Sequence, residues 1–516
     1  MKYLLLSYIV LASISGTSQG FSKRIAFERN AAATSVMENS QGYLVAVITF
    51  DTAMGYFYHA IHLLQIDHQG EILFEKIHGS PGWPLNFNQE AWTPISGNRS
   101  VLVAQTVVED VLSACLIWLD EDGDTLQTAT FPSASYNGDP DDFSNWCTPM
   151  CASSDTEDNI YYVAQSTATG GSGNNFAVYS VNPQGEMRWS FLYEPLDDSD
   201  ICRFLQVYND KLVVIGGAQS AIADPNACTE YILDFDLNGN LLHETVEIVG
   251  ANGESPQEAI IDENSRTYVC SLDDNMSGNN ALIVQLDNNN QILWFKALYD
   301  GGWRSAYTTI TTDCLGNYLC VGADDVWRPD SSEVDEFLTV VNYSQSGEQQ
   351  WVRKYTAIDV PGDWHRARKV ITTSDNGYII VGEASDMTLD SQWESEDPIQ
   401  RPWLLKLDAC GCLVPGCEDP LFCDPFALCQ DYEVEDYFSF SLDPSQESIF
   451  LFVGDAELNN PQFKIFNDMG QLVKQFDTPY HNTTYIASSS GYETGIYFLS
   501  LFSDGEPVQT EKVLLR

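Results

Sequence analysis

An all-β fold, a seven-bladed β-propeller followed by a small C-terminal β-sandwich, is predicted by three features of the sequence. Seven times an apolar run ends in a short polar turn and restarts as a second run, and most of these turns read Asp-x-x-Gly. Their last residues, Gly70, Gly123, Gly185, Gly239, Asn290, Gly347 and Gly411, lie 51 to 64 residues apart. A period of that length belongs to four-stranded blades repeated around an axis. No helical period interrupts the repeats, and beyond Cys429 the chain changes to a compact series of short alternating strands.

Each repeat is expected to supply four strands. Runs rich in Val, Ile, Leu and Tyr open after a tight turn: Tyr43 to Val47, Val101 to Ala104, Ile160 to Ala164, Leu212 to Gly216, Thr267 to Cys270, Tyr318 to Gly322 and Tyr378 to Gly382. A further strand precedes each, such as Ala259 to Asp262 or Val370 to Thr373. A loop of variable length follows, then a run such as Ala281 to Leu286 or Trp403 to Leu407, the polar turn, and a last strand often marked by an aromatic: Phe74, Trp189, Trp294 or Trp351. The seventh repeat lacks that last strand. Lys23 to Phe27, ahead of a first inner strand around Ala32 to Val36, is expected to fill the gap and so remove an exposed sheet edge.

Residues 1–20 hold Lys2, an apolar run from Leu4 to Ile14 and a small polar stretch ending at Gly20. This pattern predicts a secretory signal peptide cleaved before Phe21. The run is shorter than the roughly 18 apolar residues a membrane span needs, and no later stretch reaches that length, so the mature chain is expected to have no transmembrane segment. With 24 basic against 74 acidic residues the net charge is −50. A surface this acidic repels phosphate backbones, which excludes nucleic acid as an expected partner. Divalent cations, calcium first among them, and solubility fit better. Thirteen cysteines in an exported chain suggest disulfides, with at least one thiol left over. Five crowd into a linker over 410–432 as Cys410, Cys412, Cys417, Cys423 and Cys429. Zinc is the competing reading of that cluster, disfavoured by export and by the lack of a nearby histidine.

The segment 433–516 opens with Leu442-Asp443-Pro444-Ser445 and carries three further blocks. These are Ile465-Phe466-Asn467-Asp468-Met469-Gly470-Gln471-Leu472-Val473, then Thr494-Gly495-Ile496-Tyr497-Phe498, then the terminal Glu511-Lys512-Val513-Leu514-Leu515. In the order and spacing of these blocks it resembles the C-terminal sorting domain of type IX secretion substrates of the Bacteroidetes. The family usually opens with Pro-Asn-Pro, from which Leu442 to Ser445 departs. The stretch from Cys410 to Cys417 is similar to the junction between propeller and sorting tail in secreted Bacteroidetes proteins. The resemblance implies the type IX secretion machinery as a partner, transport across the outer membrane, removal of the tail, and a remainder over 21–409 that is released or held at the cell surface.

In a propeller the middle connections of each blade and the crossings between blades emerge on one rim, and here they are the long ones, so function is expected there. They carry Tyr56, Tyr58, Trp83, Trp303, Arg304, Trp327, Trp364, Arg366 and Trp393. Gly301-Gly302-Trp303-Arg304 and Gly362-Asp363-Trp364-His365-Arg366 recur at equivalent crossings. Aromatic faces beside polar groups suit sugar rings, and they also suit protein surfaces; packing between blades is the plain alternative for the recurring tryptophans. Acidic loops at Asp139, Asp141 and Asp142, at Asp324 and Asp325, and at Glu394 and Glu396 could bind calcium or cleave a glycosidic bond. Asp120, Asp122 and Asp124 read as a hairpin turn instead of a calcium loop. No Gly-x-Ser-x-Gly, His-Glu-x-x-His or phosphate-cradling loop occurs, so no cofactor is expected. The expected function is noncatalytic binding of an extracellular glycan or macromolecule, with a polysaccharide hydrolase or lyase using rim carboxylates as the alternative.

Overall fold

A computed structural model of the 516-residue chain describes residues 20–50, 59–79, 85–86, 90–109, 111–132, 148–167, 174–193, 199–219, 228–247, 254–274, 278–298, 305–327, 334–357, 364–385, 400–413, 438–442, 448–453, 462–467, 471–477, 483–488, 495–503 and 506–515. Residues 1–19 of the expected signal peptide, together with Cys417, Cys423 and Cys429, lie outside these residues. The chain divides into two compact units, Met1–Leu428 and Cys429–Arg516. All described regular structure in both is β-strand, and no described helix is long and apolar enough to cross a membrane.

Sheet one of the larger unit is an antiparallel meander of Ala31–Asn39, Gly42–Phe50, His59–Ile66 and Ile72–His78. Sheets three to six repeat it, beginning at Thr148–Ser154, Ser199–Tyr208, Glu254–Ile261 and Ser305–Thr312. Sheet two departs from the pattern, because two short pieces, Leu85–Asn86 and Trp92–Ile95, both pair with Arg99–Val108. The closing sheet joins Trp364–Thr372, Tyr378–Ser385 and Gln400–Leu407 to the N-terminal strand Phe21–Arg24. Phe21 stands opposite Lys406 and Arg24 opposite Trp403. Closure by the N-terminus is as the sequence implies, but the strand begins at Phe21 instead of Lys23. A last rung, Ile25 N–H to the Pro402 carbonyl at 2.9 Å, follows it.

From sheet two onward the first strand of each sheet packs against the first strand of the next, sheet one meets sheet two through His59–Ile66 and Leu85–Asn86, and the closing sheet packs against Ala31–Asn39 of sheet one. The first strands therefore surround a common axis, which is β-propeller architecture. This explains why the second strands read as unbroken apolar runs. Tyr318 and Cys320 belong to one core with Val269 and Ile283 of sheet five. Their alternate neighbours Leu319 and Val321 belong to another core with Ile380 and Leu405 of the closing sheet. Both faces of the strand are buried, so the two-residue alternation of a half-exposed strand disappears.

The Asp-x-x-Gly turns follow from local chemistry. Asp67 Oδ1 accepts the N–H groups of Gln69 and Glu71 at 2.9 and 2.7 Å, and Asp120 takes those of Asp122 and Asp124 at 3.1 and 2.7 Å. The fourth residue turns left-handed, with φ of +85° at Gly70, +87° at Gly239 and +62° at Asn290. Glycine and asparagine are the residues that adopt this backbone most readily. At several sheets the absent glycine side chain also makes room for an aromatic. A Cβ on Gly239 would lie 2.6 Å from the ring of Trp189, which comes from the last strand of the preceding sheet; Gly347 stands likewise over Trp294, Gly411 over Trp351, and Gly70 over Phe21. Trp189 and Trp294 donate their indole N–H to the carbonyls of Leu237 and Gln345, within those same turns, at 3.0 and 3.1 Å. Thus the aromatic marker of one sheet seats in the turn of the next.

The smaller unit holds one sheet of Phe438–Leu442, Ser448–Val453 and Thr483–Ser488. A second sheet is built from Leu472–Asp477, Gln462–Asn467, Gly495–Ser503 and Glu506–Leu515. Phe463, Ile465, Leu499 and Leu501 are its buried apolar residues on the paired strands Gln462–Asn467 and Gly495–Ser503.

Candidate functional site: the axial channel and its mouth

The inner strands are interrupted where they face the axis. Register slips by one residue between Ala33 and Ser35, Pro149 and Cys151, Cys202 and Phe204, Pro256 and Glu258, Tyr307 and Thr309, and Ala367 and Lys369. The extra residues are Thr34, Met150, Arg203, Gln257, Thr308 and Arg368. Bulges of this kind bend a strand and redirect its side chains. Repeated around the ring, they place five polar residues and the apolar Met150 at equivalent positions of the inner strands.

A charge cluster crosses the axis beside these positions. Lys369 of the closing sheet reaches Glu90, between the two short pieces of sheet two, with Nζ to Oε2 at 2.7 Å. The same ammonium bonds Glu258 of sheet five. The other oxygen of Glu258 accepts the Ile310 N–H at 3.0 Å and the Thr309 hydroxyl, and that hydroxyl also accepts the Val370 N–H at 3.1 Å. The Glu90 carbonyl takes the Ala152 N–H at 2.8 Å. Burial and the neighbouring Glu258 charge push the Glu90 carboxyl up to about 7, despite Lys369. Burial alone would lower the Lys369 ammonium, but Glu258 and Glu90 outweigh it and hold the group protonated. Five elements of the ring are thereby tied to one ammonium.

From this brace toward the loop end, the closing strand carries Arg368, Arg366 and Trp364. Arg368 grips Glu383 in a two-pronged pair, Nη2 to Oε1 at 2.6 Å and Nε to Oε2 at 3.1 Å. The Arg366 guanidinium stacks on Trp364, 3.7 Å above the ring centroid. Between them His365 is fully buried and anchors the strand. Its backbone N–H donates to Glu336 Oε1 at 2.8 Å, Nδ1 lies 2.7 Å from the Glu336 carbonyl, and Nε2 accepts the Ala357 N–H at 2.9 Å. Those partners require the neutral ring with its proton on Nδ1, and burial, against the pull of the Glu336 carbonyl, lowers its pKa. Across the ring Arg203 is half-buried with Nε enclosed and without an acceptor among the described residues. Burial first and the Arg368 charge second depress it. The two arginines belong to sheets separated by two others, so they sense each other across the axis.

Of the residues singled out from sequence, the structure brings together Trp364 and Arg366. Trp327 ends the second strand of sheet six, opposite Val334, with its backbone placed at the same loop end. Tyr56, Tyr58, Trp83, Trp303, Arg304 and Trp393 lie outside the described residues, as do Asp139, Asp141, Asp142, Glu394 and Glu396. Asp324, a candidate calcium ligand, is instead buried and paired with Lys354 at 2.8 Å. Among the described residues no group of three or more His, Cys, Asp or Glu is arranged to hold a metal ion. The brace residues Glu90, Glu258 and Lys369, and Arg203, Arg368 and Glu383, escaped the sequence reading; the only trace there is a charge set inside an otherwise apolar inner strand, as in Glu258-Ala259-Ile260-Ile261.

A second feature lies beside sheet one, where a cavity of about 500 Å³ is lined by Phe27, Arg29, Thr49, His62 and Glu75 among others. His62 Nδ1 is 2.6 Å from Glu75 and Nε2 is 3.3 Å from the Thr49 hydroxyl. The line imitates a nucleophile, base and acid. The three residues, however, are cross-strand neighbours on one sheet, and the N–H groups of the described strands around them belong to the strand ladder.

No protein-family model and no curated protein matches the chain. Among solved structures it is similar to the WD40 β-propeller domain of Doa1, at 11% identity and a TM-score of 0.41, over 76% of this chain and 97% of that one. It is similar also to the β-propeller domain of the Trilobed protease from Pyrococcus furiosus, at 7% identity and a TM-score of 0.39, over 74% of this chain and 94% of that one. A β-fructofuranosidase of Bombyx mori aligns at 11% identity and a TM-score of 0.30, over 71% of this chain and 85% of that one. Likeness at this level carries no argument, and the propeller architecture rests on the sheet order and packing described above.

Proposed function

We propose that the chain is a seven-bladed β-propeller that binds an extracellular glycan at the loop-end mouth of its channel, followed by a β-sandwich that serves as a type IX sorting tail. The stacked pair of Trp364 and Arg366 carries the binding reading. An indole held flat by a guanidinium offers one face for the C–H surface of a sugar, while the arginine edge donates to hydroxyls. His365, anchored on three sides, fixes the strand from which both project. Seven sheets packed in succession, the last against the first, support the blade count, and two antiparallel sheets in residues 438–515 support the sandwich. The sorting role rests on the tail motifs, and secretion on residues 1–20. Disulfides at Cys314, Cys410 and Cys412 fit an oxidising destination. For the hydrolase reading, Glu383 is the rim carboxylate in view, and Arg368 already occupies both its oxygens.

The test is a polysaccharide pull-down with the purified full chain, with and without calcium, followed by product analysis of whatever binds. Binding lost in Trp364→Ala supports the reading. Cleavage would move the protein to the enzyme class, and no binding by any polysaccharide would overturn the glycan assignment.

A further inference from the structure

We propose that Arg203 and Arg366 form an anion-recognising entrance to the channel, so that the glycan taken there is acidic and bears carboxylate or sulfate groups. The inference deepens the glycan reading and rests on it. Three observations carry it. First, Arg203 has an enclosed Nε with no acceptor among the described residues, although its sheet could have closed over an aliphatic residue at less cost. Second, the flat face of Arg366 is taken by Trp364, which leaves its N–H edges directed in plane, the geometry that a carboxylate or sulfate accepts in two-pronged fashion. Third, Arg368 beside them holds both oxygens of Glu383, so that carboxylate, although it also lies near Arg366 together with Glu336, is engaged elsewhere, and no carboxylate is among the charges acting on Arg203.

The depth is consistent. Arg203 and Arg368 are both extra residues of inner-strand bulges. At the next residue of the closing strand, Lys369 spans from its own sheet to carboxylates of two others. Arg366 stands two residues nearer the loop end, and the Arg368 charge acts on both Arg203 and Arg366, so the three guanidiniums lie near one another. The setting adds weight, because a chain of net charge −50 repels anions at long range. A cluster of three guanidiniums around few carboxylates in such a molecule selects for anionic groups at short range.

The experiment is titration calorimetry of the full chain with dextran sulfate, polygalacturonate, unmodified dextran and inorganic sulfate, on wild type, Arg203→Gln, Arg203→Lys and Arg366→Gln. Thermal unfolding of each variant establishes that it is folded. The expected result is binding of dextran sulfate or polygalacturonate at least about tenfold tighter than dextran, weakened about tenfold or more in Arg203→Gln and Arg366→Gln, as loss of one charged hydrogen bond implies. Arg203→Lys is expected to fall between. If dextran binds as tightly as its sulfate and Arg203→Gln changes nothing, the anion inference is overturned while the glycan reading stands. Should inorganic sulfate bind in an Arg203-dependent way and no polymer bind, the glycan reading fails and the arginines remain a site for a free anion. Binding of none of the four overturns both.

Discussion

Replacing Lys369 by Met isolates what the axial brace contributes. The ammonium is 18% exposed and faces carboxylates that are 11% and 5% exposed, so it belongs with buried pairs. Removing one partner of such a pair costs about 3 to 5 kcal/mol, because the remaining charge is stranded. Here two carboxylates are stranded, facing each other, and the upper part of that range is expected at pH 8. The loss should shrink toward pH 5, where Glu90 can take a proton. In the wild type the Glu90 pKa is already raised from 4.5 to about 7, by burial and then by Glu258. A carboxyl whose folded pKa is raised contributes stability that is fully present below its unfolded value and lost as pH rises through its folded value. The window is therefore about pH 4.5 to 7, and the stake is on the order of 3 kcal/mol. Glu90→Gln should remove this loss and be at least as stable as wild type at pH 8. Urea unfolding of the full chain, followed by tryptophan fluorescence at pH 5 and 8, measures both variants. A Lys369→Met penalty under about 1 kcal/mol that is equal at the two pH values would refute the reasoning.

Other expectations follow from single contacts. Gly239→Ala places a Cβ 2.6 Å from the Trp189 ring at φ +87°, and should cost about 2 kcal/mol or more. Gly97→Ala, at φ +73° with the Arg99 side chain in ordinary contact at 3.7 Å, should cost about 1 kcal/mol, and thermal unfolding compares the two. Phe21→Ala should destabilise by roughly 1 to 2 kcal/mol and expose the edge strand Gln400–Leu407 to limited proteolysis. Burial lowers the His365 pKa, and a His with lowered folded pKa contributes stability above its unfolded value that is lost as pH drops through its folded one, so the mouth strand should loosen and ligand binding weaken on the acid side of the ordinary histidine range; ring NMR of His365 reports its tautomer and titration. Cys115, Cys151, Cys202, Cys270 and Cys320 are buried thiols, and should resist a thiol reagent such as dithionitrobenzoate until urea unfolds the chain.

The features legible in the sequence are those set by local chemistry. Asp67 and Gly70 encode their turn within five residues, because the carboxylate meets its own backbone and the glycine supplies the left-handed φ. The run from Tyr318 to Gly322 announces a strand buried on both faces, and the missing aromatic strand of the seventh repeat pointed to the N-terminus, where Phe21 now fills the marker position. The brace was not legible. Glu90, Glu258 and Lys369 are 111 to 279 residues apart along the chain, and each owes its aim to a bulge or a break in a strand, which no spacing rule announces. Arg203 is invisible for the same reason. Trp364 and Arg366 could be chosen because loop length marks the rim, whereas their stacking depends on His365, whose partners Glu336 and Ala357 come from the neighbouring sheet.

The closing sheet has a consequence for the order of events in a newly made chain. Its last strand is the first segment after residue 20, and its other three are the last of the larger unit. Until residues 400–407 have emerged, the six preceding repeats form only an open arc, whose leading edge and whose Gly70 seat both wait for partners. The Lys369 ammonium arrives equally late, so Glu90 and Glu258 face each other unneutralised throughout that interval. A chain interrupted before the seventh repeat thus has neither its seam nor its hub. Completion of the ring becomes a single late event that separates finished molecules from truncated ones.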